Sequence, residues 1–248
     1  MTTTAGLAAP SSAPARSIEV WRIARPVSTR GLACLLPDDE QVRSRQQGRT
    51  SPETFIAARA LLRLKLGAVL GVPTRDVPLE RSCSQCGATS HGKPRVSRKG
   101  LLPPDPPDFS ISYGGTFALV ALAAHGHVGV DVEPITASPA VSRWCFDQDE
   151  QRLLAELDEV SRCREITRSW VRKEAVAKAL GMGLSLPLSL VATTGERSRW
   201  RLPCSYSQLR DIAMPEGLAA AVAYDDAEAV PEVGSWDPNS CRISKVLG

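Results

Sequence analysis

Two acidic side chains near the middle of the chain, Asp131 and Glu133, stand two residues apart and alternate with valines. The valines and small apolar residues around them predict a β-strand, in which alternate side chains point to the same face. Both carboxylates are therefore expected on one face, where they repel each other unless a cation neutralises them. Carboxylate oxygens are the ligands that Mg²⁺ prefers, so the pair indicates a magnesium site. A solvent-facing acidic pair on an edge strand is the alternative that this segment leaves open.

A second group of reactive side chains lies on a helix predicted over residues 162–180. Trp170, Glu174 and Lys178 follow one another at intervals of four residues, so they lie along one face of that helix. If Glu174 meets the acidic pair of the strand, three carboxylates can ligate one cation. Lys178 would then neutralise a phosphate that the same cation binds. The alternative is a surface Glu–Lys pair, which stabilises a helix by only a few tenths of a kcal/mol.

Several other elements are predicted to position these groups. One helix begins at the N-cap Ser51 with Pro52 in its first turn and ends before Gly71, and another begins at the capping box of Asp147 and Glu150. Strands are predicted over residues 17–24, 110–124, 129–133, 184–194, 200–202 and 217–224.

The overall composition narrows the class of protein. A length of 248 residues corresponds to one large domain or two small ones, and the net charge of +3 is too small to indicate nucleic-acid binding. No apolar run approaches the roughly 20 residues of a membrane helix. Residues 1–16 lack the features of a signal peptide, and the seven cysteines are an odd number. We therefore expect a cytoplasmic protein with reduced cysteines and a disordered N-terminal lead-in.

One short segment contains Cys83 and Cys86 in a CxxC spacing, followed by His91. A four-ligand zinc site needs a second pair, and only His91 is near enough in sequence to add a third ligand. The pattern favours a reduced turn or a vestigial zinc knuckle. Further on, Gly114 and Gly115 either let the backbone approach a phosphate or form an ordinary bend.

Two of these segments resemble the signature motifs of the 4′-phosphopantetheinyl transferases. The segments are Gly129–Glu133 and Trp170–Ala179, and the resemblance is to the single-chain, pseudodimeric (Sfp) type that serves secondary metabolism. Three further pieces, His91–Pro94, Phe109–Ser112 and Gly181–Leu184, occur in the order found in that family.

The resemblance implies an α+β fold of two similar subdomains that form a pseudodimer, each a small, mostly antiparallel sheet packed with helices. The implied divisions are a lead-in over residues 1–16, an N-terminal subdomain over 17–125 that contacts coenzyme A, a C-terminal subdomain over 126–224 with the Mg²⁺ site and the catalytic helix, and a loose tail over 225–248.

The activity that the resemblance implies is transfer of the 4′-phosphopantetheine arm of coenzyme A to a serine of an acyl or peptidyl carrier protein, with release of 3′,5′-ADP. Asp131, Glu133 and Glu174 would bind Mg²⁺, and Glu174, Lys178 and Asp131 would be catalytic. Glu174 would help to deprotonate the serine, and Lys178 would hold the pyrophosphate. The residues expected to contact coenzyme A are Arg45, Arg49, Arg59, Lys93, Ser112, Tyr113 and Lys178.

One residue departs from the family pattern, because Tyr113 stands where a histidine is usual. A tyrosine offers phosphate a neutral hydroxyl, whereas a histidine can offer a charged donor. The expected partners are a carrier protein of polyketide, nonribosomal peptide or antibiotic biosynthesis and coenzyme A, without nucleic acid or membrane, and the chain is expected to be a monomer.

Two other functions compete with the transferase. A non-catalytic homologue that binds coenzyme A or a carrier protein is favoured only by Tyr113. A metal-dependent nuclease would need a lysine two residues beyond the second carboxylate, and Pro134 and Ile135 follow Glu133 instead.

Overall fold

The computed structural model of the protein describes residues 17–46, 50–83, 85–89, 91–99, 105–136, 145–193, 199–200, 208–226 and 228–239. The predicted lead-in over residues 1–16 and the predicted coenzyme A contact Arg49 lie outside these ranges.

The helices among the described residues are α1 (Asp38–Ser44), α2 (Pro52–Leu70), α3 (Gln148–Ala155) and α4 (Glu159–Leu180). Helix α4 begins three residues before the predicted start, because the Asp158 side chain caps it. The Ser51 hydroxyl caps α2, and the capping box that opens α3 is formed as predicted. Gly71 and Gly181 end the two long helices in the left-handed conformation that glycine adopts without strain. Among the described residues, no helix is both long and apolar enough to cross a membrane.

The strands form two main sheets and two short hairpins. In chain order they are β1 (Ile18–Ala24), β2 (Leu79–Arg81), β3 (Pro94–Val96), β4 (Asp108–Gly114), β5 (Phe117–Ala123), β6 (Val128–Pro134), β7 (Val191–Ala192), β8 (Arg199–Trp200), β9 (Gln208–Asp211), β10 (Leu218–Tyr224) and β11 (Glu232–Ser235). The first sheet has the order β11-β1-β5-β4 and the second β6-β10-β9, while β2-β3 and β7-β8 are separate pairs.

Three apolar cores hold these elements in layers. Helix α2 packs on the first sheet, α4 packs on the second sheet, and the two sheets pack against each other. All strand pairs within the sheets are antiparallel except that of β1 and β11. The predicted α+β fold with small, mostly antiparallel sheets and packed helices is therefore confirmed.

Strands β4 and β6 are joined by side chains rather than by a backbone ladder. Every second side chain of β4 accepts a hydrogen bond from every second backbone N–H of β6. The pairs are Asp108 with Val128 at 2.9 Å, Ser110 with Val130 at 3.1 Å and Ser112 with Val132 at 3.4 Å. We call this contact the β4–β6 seam. It satisfies N–H groups that would otherwise be buried without partners.

The structure corrects three predictions of local structure. The strand predicted over residues 110–124 is two strands, β4 and β5, because the chain turns at Gly115, whose φ is +57°. Two short 3₁₀ helices, Gly183–Ser185 and Leu188–Leu190, occupy five of the eleven residues of the strand predicted over 184–194, and the strand β7 within that range is only Val191–Ala192. The tail from residue 225 is not loose throughout, since β11 pairs with β1.

We predict that Gly129→Ala destabilises the protein severely. A Cβ at Gly129 would overlap the backbone of Ala175 and Ala179, so β6 could no longer pack closely on α4. Overpacking of this kind costs about 1–3 kcal/mol or more. The matched control is Gly234→Ala in β11, where a Cβ would lie 2.8 Å from the Trp21 ring, a side chain that can move. Urea unfolding measures both variants, and equal midpoints would contradict the packing argument.

Candidate active site

One cavity of about 420 Å³ contains the predicted acidic and basic residues of the site. Its wall includes Asp131 and Glu133 from β6 and Trp170, Glu174 and Lys178 from α4. The alternation of β6 explains this, because its valines face the other sheet and its acidic side chains face α4. The acidic residues of β6 and of α4 thus line the same cavity. Asp131 is only 3% exposed, so it is not a solvent-facing carboxylate.

A hydrogen-bonded group of three side chains occupies the floor of this cavity. Lys178 Nζ donates to Asp131 Oδ1 at 2.6 Å and to Ser112 Oγ at 3.0 Å, and Ser112 Oγ donates to Asp131 Oδ1 at 2.7 Å. The same serine is the last residue of the β4–β6 seam. Lys178 therefore neutralises Asp131 in this structure, and Ser112 fixes the position of both groups.

Two buried carboxylate oxygens in the site have no hydrogen-bond partner among the described residues, Asp131 Oδ2 and Glu174 Oε1. Burial raises the pKa of Glu174 to about 7, and repulsion from Asp131 and Glu133 adds to this effect, although Lys178 opposes it. Unpartnered buried carboxylates are unfavourable without a positive group nearby. The donor set of this cavity therefore fits a hard divalent cation.

In this structure the oxygens of the three carboxylates do not surround a common point as metal ligands would. Metal-binding side chains can form a site when their ligand atoms all lie within 4.8 Å of one another. Among the described residues, only one group of three or more meets this spacing: Cys83, Cys86 and His91. Asp131, Glu133 and Glu174 line one cavity without reaching that spacing. A cation would have to draw them together and compete with Lys178 for Asp131.

A larger cavity of about 690 Å³ adjoins the first and shares Ile111, Tyr113, Glu174 and Lys178 with it. Its wall also includes three arginines, Arg43, Arg59 and Arg81. Burial lowers the pKa of Arg81, and repulsion from Arg43 and Arg59 lowers it further. Such a concentration of positive charge favours an anion, and arginine forks match the geometry of phosphate.

Arg59 lies in the cavity wall, as expected of a ligand contact, but it also has a structural partner. Its guanidinium is paired with the buried Glu40, which Arg63 contacts at 2.8 Å. Burial alone would raise the pKa of Glu40, yet its hydrogen bonds with Arg63 and Arg59 hold that pKa below its usual value. Arg59 is therefore only partly available to a bound phosphate.

Lys93 lines the larger cavity, as expected of a ligand contact, and it also has structural partners. Its ammonium is paired with Asp108 and donates to the carbonyls of Val128 at 2.9 Å and Ala179 at 3.4 Å. Burial lowers the pKa of Lys93, and Asp108 counteracts this. All three of its donors are engaged, so Lys93 ties the β4–β6 seam to the end of α4.

The remaining predicted contacts differ in position. Arg45 is exposed at the end of α1, and neither cavity includes it. Tyr113 lies in the wall of both cavities and stacks on Phe55 with ring centroids 6.0 Å apart. Its hydroxyl is buried without a partner among the described residues, and burial raises its pKa to about 12. A neutral phenol therefore stands beside the arginines.

The sequence analysis did not select Arg43 or Arg81 as ligand contacts, although both line the larger cavity. For Arg81 a signal was available. A hairpin around the CxxC turn pairs Arg81 with Pro94, and so places it beside the His91–Pro94 motif. Arg43 is separated from Arg45 by two residues, and the helical turn of α1 decides which of them faces the cavity.

Comparison with known proteins shows which family this chain resembles. The model of the 4′-phosphopantetheinyl transferase superfamily matches residues 127–209, which contain β6, α4 and the three carboxylates. A Synechocystis sp. protein that carries the name of a 4′-phosphopantetheinyl transferase is 24% identical over 84% of this chain and 87% of its own length. The 4′-phosphopantetheinyl transferase Sfp of Bacillus subtilis is 31% identical over 51% of this chain and 55% of its own length.

The L-aminoadipate-semialdehyde dehydrogenase-phosphopantetheinyl transferase of Mus musculus is 27% identical over 54% of this chain. The match spans 44% of that protein, so this chain aligns with about half of the mouse and Bacillus proteins. Residues 127–209 of this chain thus match the 4′-phosphopantetheinyl transferase superfamily, and the resemblance seen in the sequence motifs is confirmed.

We predict that Glu174→Gln stabilises the metal-free protein at alkaline pH. The pKa of Glu174 rises from 4.5 to about 7 on folding, so the native state retains a proton that the unfolded state releases. Wild-type stability should therefore fall, relative to that of the variant, as the pH rises from about 4.5 to about 7.

The measurement is the melting temperature of both proteins, with EDTA present, from about pH 4.5 to pH 8. The melting temperatures of the wild type and the variant should diverge by a few °C across that range. A change of about 1 kcal/mol in the free energy of unfolding shifts the melting temperature of such a domain by 2–4 °C. The exposed Glu159, on the same helix, supplies the control Glu159→Gln. A pH-independent difference would contradict the assigned environment of Glu174.

Proposed function

We propose that this protein transfers the 4′-phosphopantetheine arm of coenzyme A to a serine of an acyl or peptidyl carrier protein in a Mg²⁺-dependent reaction that releases 3′,5′-ADP. The observation that carries the proposal is the junction of the two cavities at Glu174 and Lys178. An arginine-lined cavity there opens into an acidic, cation-compatible one, and the reaction needs a bound diphosphate beside a cation.

The larger cavity has the charge distribution that coenzyme A requires. Arg43, Arg59 and Arg81 supply positive charge for a phosphate in the larger cavity, and none of them lines the acidic cavity. Phe55 and Ile111 provide apolar surface in the same wall, and Lys178 lies where the two cavities meet. A long ligand with phosphates at two places can thus meet cations at both.

Asp131, Glu133 and Glu174 would hold Mg²⁺, which when bound supplies positive charge to the diphosphate. Lys178, which pairs with Asp131 in this structure, would be free to contact the diphosphate once the cation neutralises Asp131, and Ser112 would keep its hydrogen bond to Asp131. Exchange of one anionic partner for another keeps the lysine neutralised. Phosphoryl transfer depends mainly on such positioning and charge neutralisation.

Glu174 is suited to receive the proton of the attacking serine. Without a cation, burial raises the pKa of Glu174 to about 7, and a bound cation would lower it, so this carboxylate would be ionised and able to accept a proton during the reaction. A carrier serine that enters the acidic cavity meets this carboxylate beside the position of the diphosphate. The net charge of +3 suits an acidic carrier surface.

We predict that an apo carrier protein incubated with this enzyme, coenzyme A and Mg²⁺ gains the mass of one phosphopantetheine arm. Lys178→Ala and Glu174→Gln should each reduce the rate by roughly 10²-fold or more, because each removes charge or proton transfer at the reacting groups. Lys99→Ala, an exposed lysine outside both cavities, is the control and should retain the wild-type rate.

Intact-protein mass spectrometry measures the transfer, and circular dichroism verifies that each variant is folded. Turnover of Lys178→Ala at the rate of the control would contradict the site assignment. Binding of coenzyme A without modification of any carrier protein in a panel would favour the non-catalytic homologue. Cleavage of DNA in the presence of Mg²⁺ would favour the nuclease.

A further inference from the structure

The loop between β2 and β3 brings together three side chains that the proposed transfer reaction does not use. The sulfurs of Cys83 and Cys86 and a ring nitrogen of His91 all lie within 4.8 Å of one another. Cys86 Sγ and His91 Nε2 are 3.3 Å apart. Ligands that surround one tetrahedral ion at about 2.0–2.3 Å stand roughly 3.3–3.8 Å from each other. The observed spacing is therefore close to that of a metal site.

The backbone of this loop is shaped to hold the two sulfurs in place. The N–H of Gly87 donates to Cys83 O and the N–H of Cys83 donates to Ala88 O, both at 2.9 Å. Gly87 has a φ of +70°, which only glycine adopts readily. The N–H groups of Gln85 and Cys86 are directed at the sulfur of Cys83 and lower the pKa of that thiol. The turn thus exists without an ion and presents both thiols to the same side.

A second glycine brings the histidine to this turn. Gly92 has a φ of +105°, and a Cβ at this position would lie 2.8 Å from the backbone nitrogen of Cys83. The chain on either side of Gly92 can therefore approach the first strand of the hairpin only because the side chain is absent. The close approach places His91 against Cys86.

We infer that Cys83, Cys86 and His91 form a zinc site with water as the fourth ligand. Two thiolates and one imidazole are the donors that Zn²⁺ takes in proteins, and they are too soft a set for Mg²⁺. Cys83 and His91 also line the larger cavity, so the fourth position borders that cavity. The site is separate from the carboxylates of the acidic cavity.

A bound ion would stabilise the part of the wall that this hairpin contributes. Arg81 stands two residues before Cys83, and Lys93 stands two residues after His91. Both residues line the larger cavity. Closure of the loop by three ligands removes conformational freedom from the segment that connects them. The zinc site is therefore a structural clamp on the arginine-lined end of the cavity.

The test is the metal content of the full-length protein, purified without chelator and then exposed to excess ZnCl₂ and desalted. Inductively coupled plasma mass spectrometry should find roughly one zinc per chain, as for other structural sites. Replacement by Co²⁺ should give the thiolate charge-transfer absorption and the visible bands of a tetrahedral site. Cys83→Ser and Cys86→Ser should lose most of the zinc and both absorptions.

Cys34→Ser removes an exposed free cysteine outside the loop and is the matched control, which should retain the zinc of the wild type. Zinc below a tenth of an equivalent in the reconstituted wild type would overturn the inference, as would an equal loss in Cys34→Ser. A Cys83–Cys86 disulfide in the purified protein, seen as a mass two hydrogens lower, would also overturn it. Glu174→Gln should retain zinc while losing transfer, so failure of the proposed transferase activity and failure of the zinc site are distinguishable.

Discussion

The β4–β6 seam is the contact on which the rest of the site depends. Three side chains of β4 accept hydrogen bonds from three backbone N–H groups of β6, so the first sheet fixes the position of the second. The same contact positions the charged groups. Asp108, at one end of the seam, pairs with Lys93, and Ser112, at the other end, contacts Asp131 and Lys178. Because Lys178 lies on α4, the seam joins both sheets and the long helix.

The seam explains why the acidic cavity can exist in a stable protein. Like charges brought close together in a buried place oppose folding. Here Lys178 neutralises Asp131 and Ser112 holds it in place, while Glu174 is partly protonated near neutral pH because burial raises its pKa to about 7. The remaining unfavourable energy is concentrated in two carboxylate oxygens that face the cavity. Sites that act on charged ligands commonly retain such locally unfavourable groups.

The sequence predicted the parts of the fold that depend on local signals. Ser51, Asp147, Gly71 and Gly181 marked helix ends, because capping is decided within a few residues. Alternation in β6 placed the two carboxylates on the face that meets α4. The bend at Gly114 and Gly115 was one of two interpretations of that pair, but the sequence was still assigned to one strand over residues 110–124 because apolar residues lie on both sides of it. Strand β11 was missed because it depends on pairing with β1, at the other end of the chain.

The sequence predicted which motifs of the site line one cavity. It did not predict the roles of residues whose partners lie far away in the chain. Lys93 was expected to contact a phosphate, but Asp108 and two carbonyls engage it. Arg59 pairs with Glu40, which is 19 positions away in the chain. The ion pairs of a side chain depend on tertiary packing, and the spacing of residues in the sequence does not predict them. The cluster of Cys83, Cys86 and His91 likewise required the close approach at Gly92.

The most direct test is a crystal structure of the protein with coenzyme A and Mn²⁺, with the ion located by its anomalous scattering. The account predicts one Mn²⁺ peak at roughly ligand distance, about 2.0–2.2 Å, from oxygens of Asp131, Glu133 and Glu174. Lys178 should then contact the diphosphate in place of Asp131. A bound coenzyme A with no peak at these carboxylates, and with Lys178 still paired to Asp131, would contradict the account.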